Sequence, residues 1–286
     1  MLIKTNVKRL RDPFVLVEDN AYYMYGTEWL CFKNQSGRLD GEWELLEKPI
    51  FRYPKDFLTC SWAPEVHKYN GAYYMFTTYY SAKTQRRGCT IMKADSPEGE
   101  FVEITNGHIT PPQWDCIDGT LFIDEDNQPW MIFVHEWVCW EDKVGSFAAA
   151  KLSPDLTHFI SEPIELFKAN EPKWATSGVT DGCFMHKTKD GDLLMIWSNF
   201  EKNGYCVAVA KSDNGKLTGN WIHDEKLLYS KEMTGVDGGH AMIFKDRDGK
   251  MYLSLHSPND TEQQPYSEQA IIVSLKEENG TLVCEF

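Results

Sequence analysis

The feature that most constrains this 286-residue chain is a pattern that occurs five times along it. Each copy has a polar or small residue at its head, an apolar run, a turn rich in Asn, Asp and Gly, and a second apolar run rich in aromatic residues and Met. The copies are DPFVLVEDNAYYMYGTE, APEVHKYNGAYYMFTTYY, DGTLFIDEDNQPWMIFVHEW, DGCFMHKTKDGDLLMIWSNF and GHAMIFKDRDGKMYLSLHSPN. Two apolar runs joined by such a turn are typical of a β-hairpin, so the sequence predicts five hairpins.

The hairpins recur at intervals of roughly 50 to 65 residues, with heads at positions 12, 64, 118, 181 and 240. This interval leaves room for about four strands in each unit. In the fourth unit, GYCVAVAKS and GNWIHDEKLLY can supply the two outer strands. A two-sheet sandwich also contains short strands and turns, but five copies of one pattern favour a propeller. No Pro/Ser/Gly-rich linker divides the chain, so we expect an all-β, five-bladed β-propeller that forms a single domain over residues 1–286.

Residues at the heads of the five hairpins are expected to meet, because the first strand of each propeller blade lines the central channel. Asp12, Asp118 and Asp181 stand at three of these heads and are expected in one register, and His240 stands at the fifth. Clustered carboxylates repel one another and lose solvation. A purely structural sequence has little reason to gather three of them, so the pattern predicts a functional site on the axis.

Carboxyl groups on two sides of a glycosidic bond suffice for its hydrolysis, since one donates a proton while the other activates water or attacks the sugar. A third carboxylate can raise the pKa of the acid. The chain also has 10 Trp residues, which suit sugar-ring stacking as well as core packing. The candidate platforms are Trp29, Trp62, Trp114, Trp137 and Trp197. The predicted site therefore fits a carbohydrate.

The net charge of −14 argues against nucleic-acid binding, which requires clustered Lys and Arg. Arg86 and Arg87 could contact a glycan, but a surface role is favoured for both. The eight Cys residues show no metal-binding spacing, and we interpret them as reduced, which favours a cytoplasmic location. The N-terminus has no apolar signal core and no segment resembles a membrane span. A secreted or periplasmic protein from which a signal peptide had been removed would look the same. The sequence indicates no oligomeric state.

In their order along the chain, RDPF, SWAPEVHKYNGAYYMF, IDGTLFIDEDNQPWMIF, TDGCF and GGHAMIF resemble the family-43 glycoside hydrolases and their five-bladed relatives. The resemblance extends from Arg11 to about Asn259. It implies an inverting enzyme that cleaves arabinosyl or xylosyl linkages in plant-type polysaccharides, of the α-L-arabinofuranosidase or β-xylosidase type. It also implies that Asp12 is the general base and that Asp118 modulates the pKa of the acid.

The same resemblance places other residues near a substrate. Trp62 and Glu65 belong to the Trp-Ala-Pro-Glu segment, and His240 matches a His that lines the channel beside a metal ion or water. It implies no required cofactor, but it allows a structural calcium ion near His240. His256 ends the fifth hairpin, where a residue at the rim can touch the substrate.

The general acid has two candidates. Usual members carry Glu-Gly-Pro where this chain has Asp-Gly-Cys from Asp181, so Asp181 takes the place of the acid with a side chain one methylene shorter. Glu136 is the rival, at the end of the third hairpin beside Trp137, which is itself a candidate substrate contact. Two other functions remain as alternatives: a glycan-binding propeller that has lost catalysis, and a related glycosidase or phosphorylase of other linkage specificity.

Overall fold

The protein is described here by a computed structural model that covers residues 1–259 and 267–286. The strands form five antiparallel sheets of four or five strands each. This arrangement confirms the all-β, five-bladed propeller that the repeated pattern predicts. A short helix, α1 (Lys231–Thr234), has four residues. Within these two ranges, no helix has the length and apolar character that a membrane span requires.

The chain begins with β1 (Leu2–Lys8), and the first four blades then follow in chain order. Blade 1 contains β2 (Phe14–Val17), β3 (Tyr22–Gly26), β4 (Leu30–Asn34) and β5 (Glu44–Leu45). Blade 2 contains β6 (Phe57–Tyr69), β7 (Ala72–Ser81), β8 (Arg87–Ala94) and β9 (Val102–Glu103). Blade 3 contains β10 (Cys116–Ile123), β11 (Pro129–His135), β12 (Ser146–Lys151) and β13 (Ile164–Lys168). Blade 4 contains β14 (Asp181–Lys187), β15 (Leu193–Glu201), β16 (Gly204–Ser212) and β17 (Trp221–His223).

Blade 5 joins the two ends of the chain. It contains β18 (Gly239–Lys245), β19 (Met251–Ser257), β20 (Gln269–Glu278) and β21 (Thr281–Glu285), together with β1. Strand β1 pairs antiparallel with β20, with Leu2 opposite Val273. The first strand of the chain therefore completes the last blade. The first strands of neighbouring blades contact one another around the axis, including β18 against β2, so the ring is closed.

Each of the five apolar clusters lies between two neighbouring blades. Strand β15 shows how the sequence produces this packing. Its alternate residues Leu193, Met195 and Trp197 pack toward blade 3, whereas Leu194 and Ile196 pack toward blade 5. Both faces of the strand are covered, which explains why its sequence is continuously apolar and does not alternate with polar residues. The proposal that residues 1–286 form a single domain rests on these shared clusters.

Candidate active site

The heads of the inner strands share an uncommon backbone conformation. Asp12, Asp118 and His240 have positive φ angles of 58°, 55° and 49°, in the left-handed region that side-chain-bearing residues rarely adopt. In blades 3 and 5 the strand pairing shifts register beside this residue, as in a β-bulge. A bulge re-aims the side chain, and the carboxylates of Asp12 and Asp118 both lie against the imidazole of His240.

Blade 4 differs from the expected register by one residue. The residue with the left-handed backbone there is Gly182, with φ 53°, and not Asp181. Asp181 comes one position earlier and pairs with Ser198 across the sheet, as Gly239 pairs with His256 in blade 5. The expectation that Asp181 shares the register of Asp12 and Asp118 is therefore wrong, although its side chain still reaches the axis.

His240 is the centre of the axial cluster. Its Nδ1 lies 3.2 Å from Asp12 Oδ1, 3.3 Å from Asp181 Oδ1 and 3.8 Å from Asp118 Oδ2. Its backbone N–H donates to Ser198 Oγ at 2.8 Å. Burial alone would lower the pKa of this imidazole, but the surrounding carboxylates raise the pKa to about 10. His240 is therefore a buried cation.

Asp12 is held as an ionised carboxylate. Burial opposes its ionisation, but the charges of His240 and Arg11 outweigh that effect and lower the pKa of Asp12 below its ordinary value. The hydroxyl of Thr27 donates to Oδ2, and Ala63 N–H donates to the same hydroxyl at 3.1 Å. Thr27 and Arg11 are site residues that the sequence reasoning missed. Arg11 directly precedes Asp12, but no pattern in the sequence identifies Thr27.

The pKa values of Asp118 and Asp181 are shifted in opposite directions. Burial and the neighbouring charge of Asp181 raise the pKa of Asp118 well above its ordinary value. Burial also acts against ionisation of Asp181, but hydrogen bonds and the charge of His240 hold the pKa of Asp181 well below its ordinary range. The Tyr205 hydroxyl donates to Asp181 Oδ2, and Gly182 N–H donates to Asp118 Oδ2 at 3.0 Å. Tyr205 was also missed, because it lies on the third strand of its blade.

The axial cluster forms one wall of a pocket of about 470 Å³. The residues that line it are Arg11, Asp12, Thr27, Trp62, Arg87, Ile117, Asp118, Glu136, Trp137, Val138, Asp181 and His240. The pocket thus contains all four predicted catalytic carboxyl groups. It also contains three of the predicted substrate-binding residues, including the aromatic rings of Trp62 and Trp137. Those two rings give the pocket the apolar surface that a sugar ring can pack against.

Glu136 lies in this pocket with Arg87 as its partner. Arg87 Nε donates to Glu136 Oε2 at 2.6 Å, and the guanidinium lies 5.7 Å from the ring centroid of Trp62. Arg87 lines the pocket, so the alternative of a glycan contact fits it better than the favoured surface role, whereas Arg86 pairs with Asp115 at 2.6 Å. Burial raises the pKa of Glu136 above its ordinary value, although Arg87 acts in the opposite direction. This carboxyl group can hold a proton under conditions in which Asp12 is ionised.

Two predicted substrate contacts do not line the pocket. Glu65 is buried, and its Oε2 is bonded to His67 Nε2 at 2.8 Å and to the hydroxyl of Thr120. His256 is fully buried and not at the rim. Its Nδ1 accepts from Asp12 N–H at 3.3 Å, and burial lowers the pKa of its ring to about 3. The structure therefore gives both residues supporting positions, with His256 packed against the base.

The remaining Trp candidates belong to the core or to other surfaces. Trp29 and Trp197 are buried in two interblade clusters. Trp114 stacks on His135, with ring centroids 4.0 Å apart, and lines a separate groove. Only Trp62 and Trp137 among the five candidates lie in the pocket described above.

Asp118, Asp181 and His240 could together approach a metal ion, since their ligand atoms lie within 4.8 Å of one another. Calcium prefers six to eight oxygen ligands, and this group offers two carboxyl groups and one imidazole. These three residues supply only part of the coordination that calcium prefers, and the calcium ion expected near His240 stays a prediction.

The arrangement can move protons in two directions. Asp12 is an ionised carboxylate that can accept a proton, and Glu136 is a carboxyl group whose raised pKa suits a donor. Pairs of carboxyl groups with pKa values shifted apart are the equipment of general acid–base catalysis. Because both line a pocket with Trp walls, the reaction that they suit is cleavage of a bond in a bound sugar.

Comparisons with known proteins agree with this chemistry. The model of Glycosyl hydrolases family 43 matches residues 6–282. The crystal structure of endo-arabinase from Bacteroides thetaiotaomicron VPI-5482 is similar, with a TM-score of 0.84, 35% identity and 98% of each chain covered. An endo-1,4-β-xylanase structure from the same bacterium has a TM-score of 0.80 and 25% identity, and the match covers 99% of this chain and 97% of that chain.

A curated relative has a related name. The extracellular exo-α-(1→5)-L-arabinofuranosidase ArbA of Cellvibrio japonicus (strain Ueda107) is 21% identical over 296 residues, which cover 87% of this chain and 78% of the relative. The family match includes all five blades, the axial cluster and the pocket. The chain therefore belongs to glycoside hydrolase family 43, and it is a glycosidase whose substrate is a carbohydrate.

Proposed function

We propose that this protein hydrolyses arabinosyl or xylosyl linkages by single-displacement inversion, with Asp12 as the general base. The observation that carries the proposal is the state of Asp12, a buried carboxylate that stays ionised at the wall of the pocket because His240 and Arg11 lower its pKa. A water between Asp12 and the sugar can transfer a proton to this carboxylate as it attacks the anomeric carbon. The proton donor is Asp181 or Glu136, since both line the pocket.

Asp118 supports this chemistry without reacting itself. Burial and the charge of Asp181 raise the pKa of Asp118, and its own N–H donates to Thr78 Oγ1 at 3.0 Å. The raised pKa weakens the tendency of Asp118 to add a further negative charge beside Asp12 and Asp181. This is our interpretation of the modulating role expected for Asp118.

Arabinosyl linkages are the first substrates to test. The related structure at 35% identity is named an endo-arabinase, and the curated relative is named an exo-α-(1→5)-L-arabinofuranosidase. The structure related at 25% identity is named an endo-1,4-β-xylanase, so xylosyl linkages belong in the same panel. Arabino- and xylo-oligosaccharides with matching aryl glycosides would separate the arabinofuranosidase and xylosidase types.

The decisive variant is Asp12→Asn. We expect it to abolish sugar release while folding and oligosaccharide binding persist, because the amide preserves the shape of the side chain but cannot accept the proton. Asp190→Asn, at an exposed turn of blade 4, is the matched control and should behave like the wild type. NMR of the first product should show an inverted anomeric centre. Near-normal turnover by Asp12→Asn, or a retained configuration, would contradict the proposal.

Two further expectations belong to this proposal. All eight Cys residues are free thiols, which suits the predicted cytoplasmic location, but the curated relative is named extracellular and gives that location no support. Fractionation of the native source would locate the protein. We also propose that hydrolysis needs no cofactor, because the reaction uses only carboxyl groups and water.

A further inference from the structure

We propose that Glu136, from blade 3, is the proton donor of this reaction, and that Asp181, from blade 4, is a positioning residue for His240 and Asp12. The inference rests on the proposed function. It reverses the order in which the sequence ranks the two candidates. Three independent features of the geometry support it: the separation of the carboxyl groups, the hydrogen bonds of Asp181, and the free oxygen of Glu136.

The separation between Asp12 and Asp181 is small for inversion. Asp12 Oδ1 and Asp181 Oδ1 lie 3.2 and 3.3 Å from the same nitrogen of His240, and these two distances limit their separation to about 6.5 Å. An inverting site needs its two carboxyl groups about 6.5–9.5 Å apart, so that water and the sugar fit between them. The two oxygens that face each other across His240 are therefore at most at the lower limit of that range, and His240 Nδ1 contacts both of them.

The hydrogen bonds of Asp181 also leave it without a transferable proton. Oδ1 faces the imidazolium of His240, and Oδ2 accepts from the hydroxyl of Tyr205. Oδ1 thus faces a cation and Oδ2 accepts a hydrogen bond, and both contacts favour the ionised form. A carboxylate in this position can orient His240, and through His240 it can orient Asp12, but it cannot donate.

Glu136 has the opposite surroundings. Arg87 Nε donates to Oε2 at 2.6 Å. The other oxygen, Oε1, has no hydrogen-bond partner among the described residues, and it keeps some contact with solvent. The side chain is 4% exposed and lines the pocket beside Trp137. Its free oxygen can therefore carry a proton toward a bound sugar. Arg87 fixes the other oxygen and so fixes the direction of transfer.

The resulting step is balanced. Glu136 Oε1–H gives its proton to the glycosidic oxygen as the bond from that oxygen to the anomeric carbon breaks, and the bonding electrons leave with the oxygen. Water attacks the anomeric carbon from the opposite face and gives its proton to Asp12. The step ends with an ionised Glu136 and a protonated Asp12, and exchange with solvent restores both.

The test compares leaving groups in Glu136→Gln and Asp181→Asn. One substrate is an oligosaccharide, whose alcohol must be protonated to leave, and the other is a dinitrophenyl glycoside of the same sugar, whose phenolate leaves unprotonated. We expect Glu136→Gln to lower kcat/KM about 10²–10⁴-fold on the oligosaccharide and less than about tenfold on the aryl glycoside. Asp181→Asn should lower both by a similar factor, because it disturbs Asp12.

Glu136→Asp is the second variant, since it keeps a carboxyl group near Arg87, and it should lose less than Glu136→Gln on the oligosaccharide. Circular dichroism and oligosaccharide binding establish that each variant is folded. Leaving-group dependence in Asp181→Asn, with equal losses on both substrates in Glu136→Gln, would overturn the assignment and leave the proposed function intact. A wild-type protein that binds the sugars but releases none would overturn both.

Discussion

Replacing Arg87 by Met should move the alkaline limb of the pH–rate profile to higher pH. Arg87 Nε donates to Glu136 Oε2 at 2.6 Å, and the two side chains are 22% and 4% exposed. The guanidinium stabilises the ionised form of Glu136, so its removal raises the pKa of this carboxyl group further. A proton donor with a higher pKa stays protonated to higher pH, and the activity that depends on it persists with it.

The size of the shift follows from the lost hydrogen bond. A hydrogen bond to a charged group contributes about 1.5–3 kcal/mol, and one pKa unit corresponds to about 1.4 kcal/mol. The full effect is therefore about 1–2 units, and partial exposure of Arg87 to water favours the lower value. The other charged groups that act on Glu136, Asp115 and Asp181, also raise its pKa, so neither opposes the shift. The plateau should fall, because a weaker acid donates less readily.

The assay is kcat/KM measured against pH for the wild type and for Arg87→Met on the same oligosaccharide. Arg86→Met is the matched control, because Arg86 pairs with Asp115 at 2.6 Å and does not line the pocket. Its alkaline limb should move much less than that of Arg87→Met. An unchanged or lowered limb in Arg87→Met, with the protein folded, would refute the role of Glu136 as the titrating donor.

Two other results are expected. Gly182→Ala should lower kcat/KM at least about tenfold, because a Cβ there would lie 2.8 Å from His240 Cα. Gly191 also has a positive φ, but it has open space around it. Gly191→Ala should therefore lower the free energy of unfolding by about 1–2 kcal/mol and leave kcat/KM unchanged. Equal losses of activity in these two variants would contradict the role of the contact with His240. Treatment with EDTA should leave kcat/KM unchanged, and a loss that added calcium restores would show that the axial cluster needs the ion.

Much of the fold could be predicted from the sequence because it depends on short-range patterns. Each hairpin has its own turn and its own apolar strands, and the segment GYCVAVAKS is indeed β16. Asp12, Asp118 and His240 could be placed on the axis because they stand at the heads of inner strands. The error in the register of Asp181 arose because the sequence cannot show which residue of Asp-Gly takes the left-handed conformation.

The remaining features depend on contacts between distant strands. Tyr205 and Arg87 lie on the third strands of their blades, and they reach the site only through sheet pairing. The closure of the ring pairs Leu2 with Val273, at opposite ends of the chain. His256 could be placed at the correct strand end, but the sequence could not show that its ring would be buried against Asp12 and not exposed at the rim.

The charge balance of the axial cluster decides where the catalytic proton must come from. Burying several ionised carboxylates is costly unless they are paired. Here the imidazolium of His240 lies 3.2 Å from Asp12 Oδ1 and 3.3 Å from Asp181 Oδ1. The Tyr205 hydroxyl donates to the other oxygen of Asp181, and Gly182 N–H donates to Asp118 Oδ2 at 3.0 Å. The oxygens of Asp181 and Asp118 are thus engaged within the cluster. A proton for the leaving group must therefore come from outside the cluster, and in this pocket that source is Glu136.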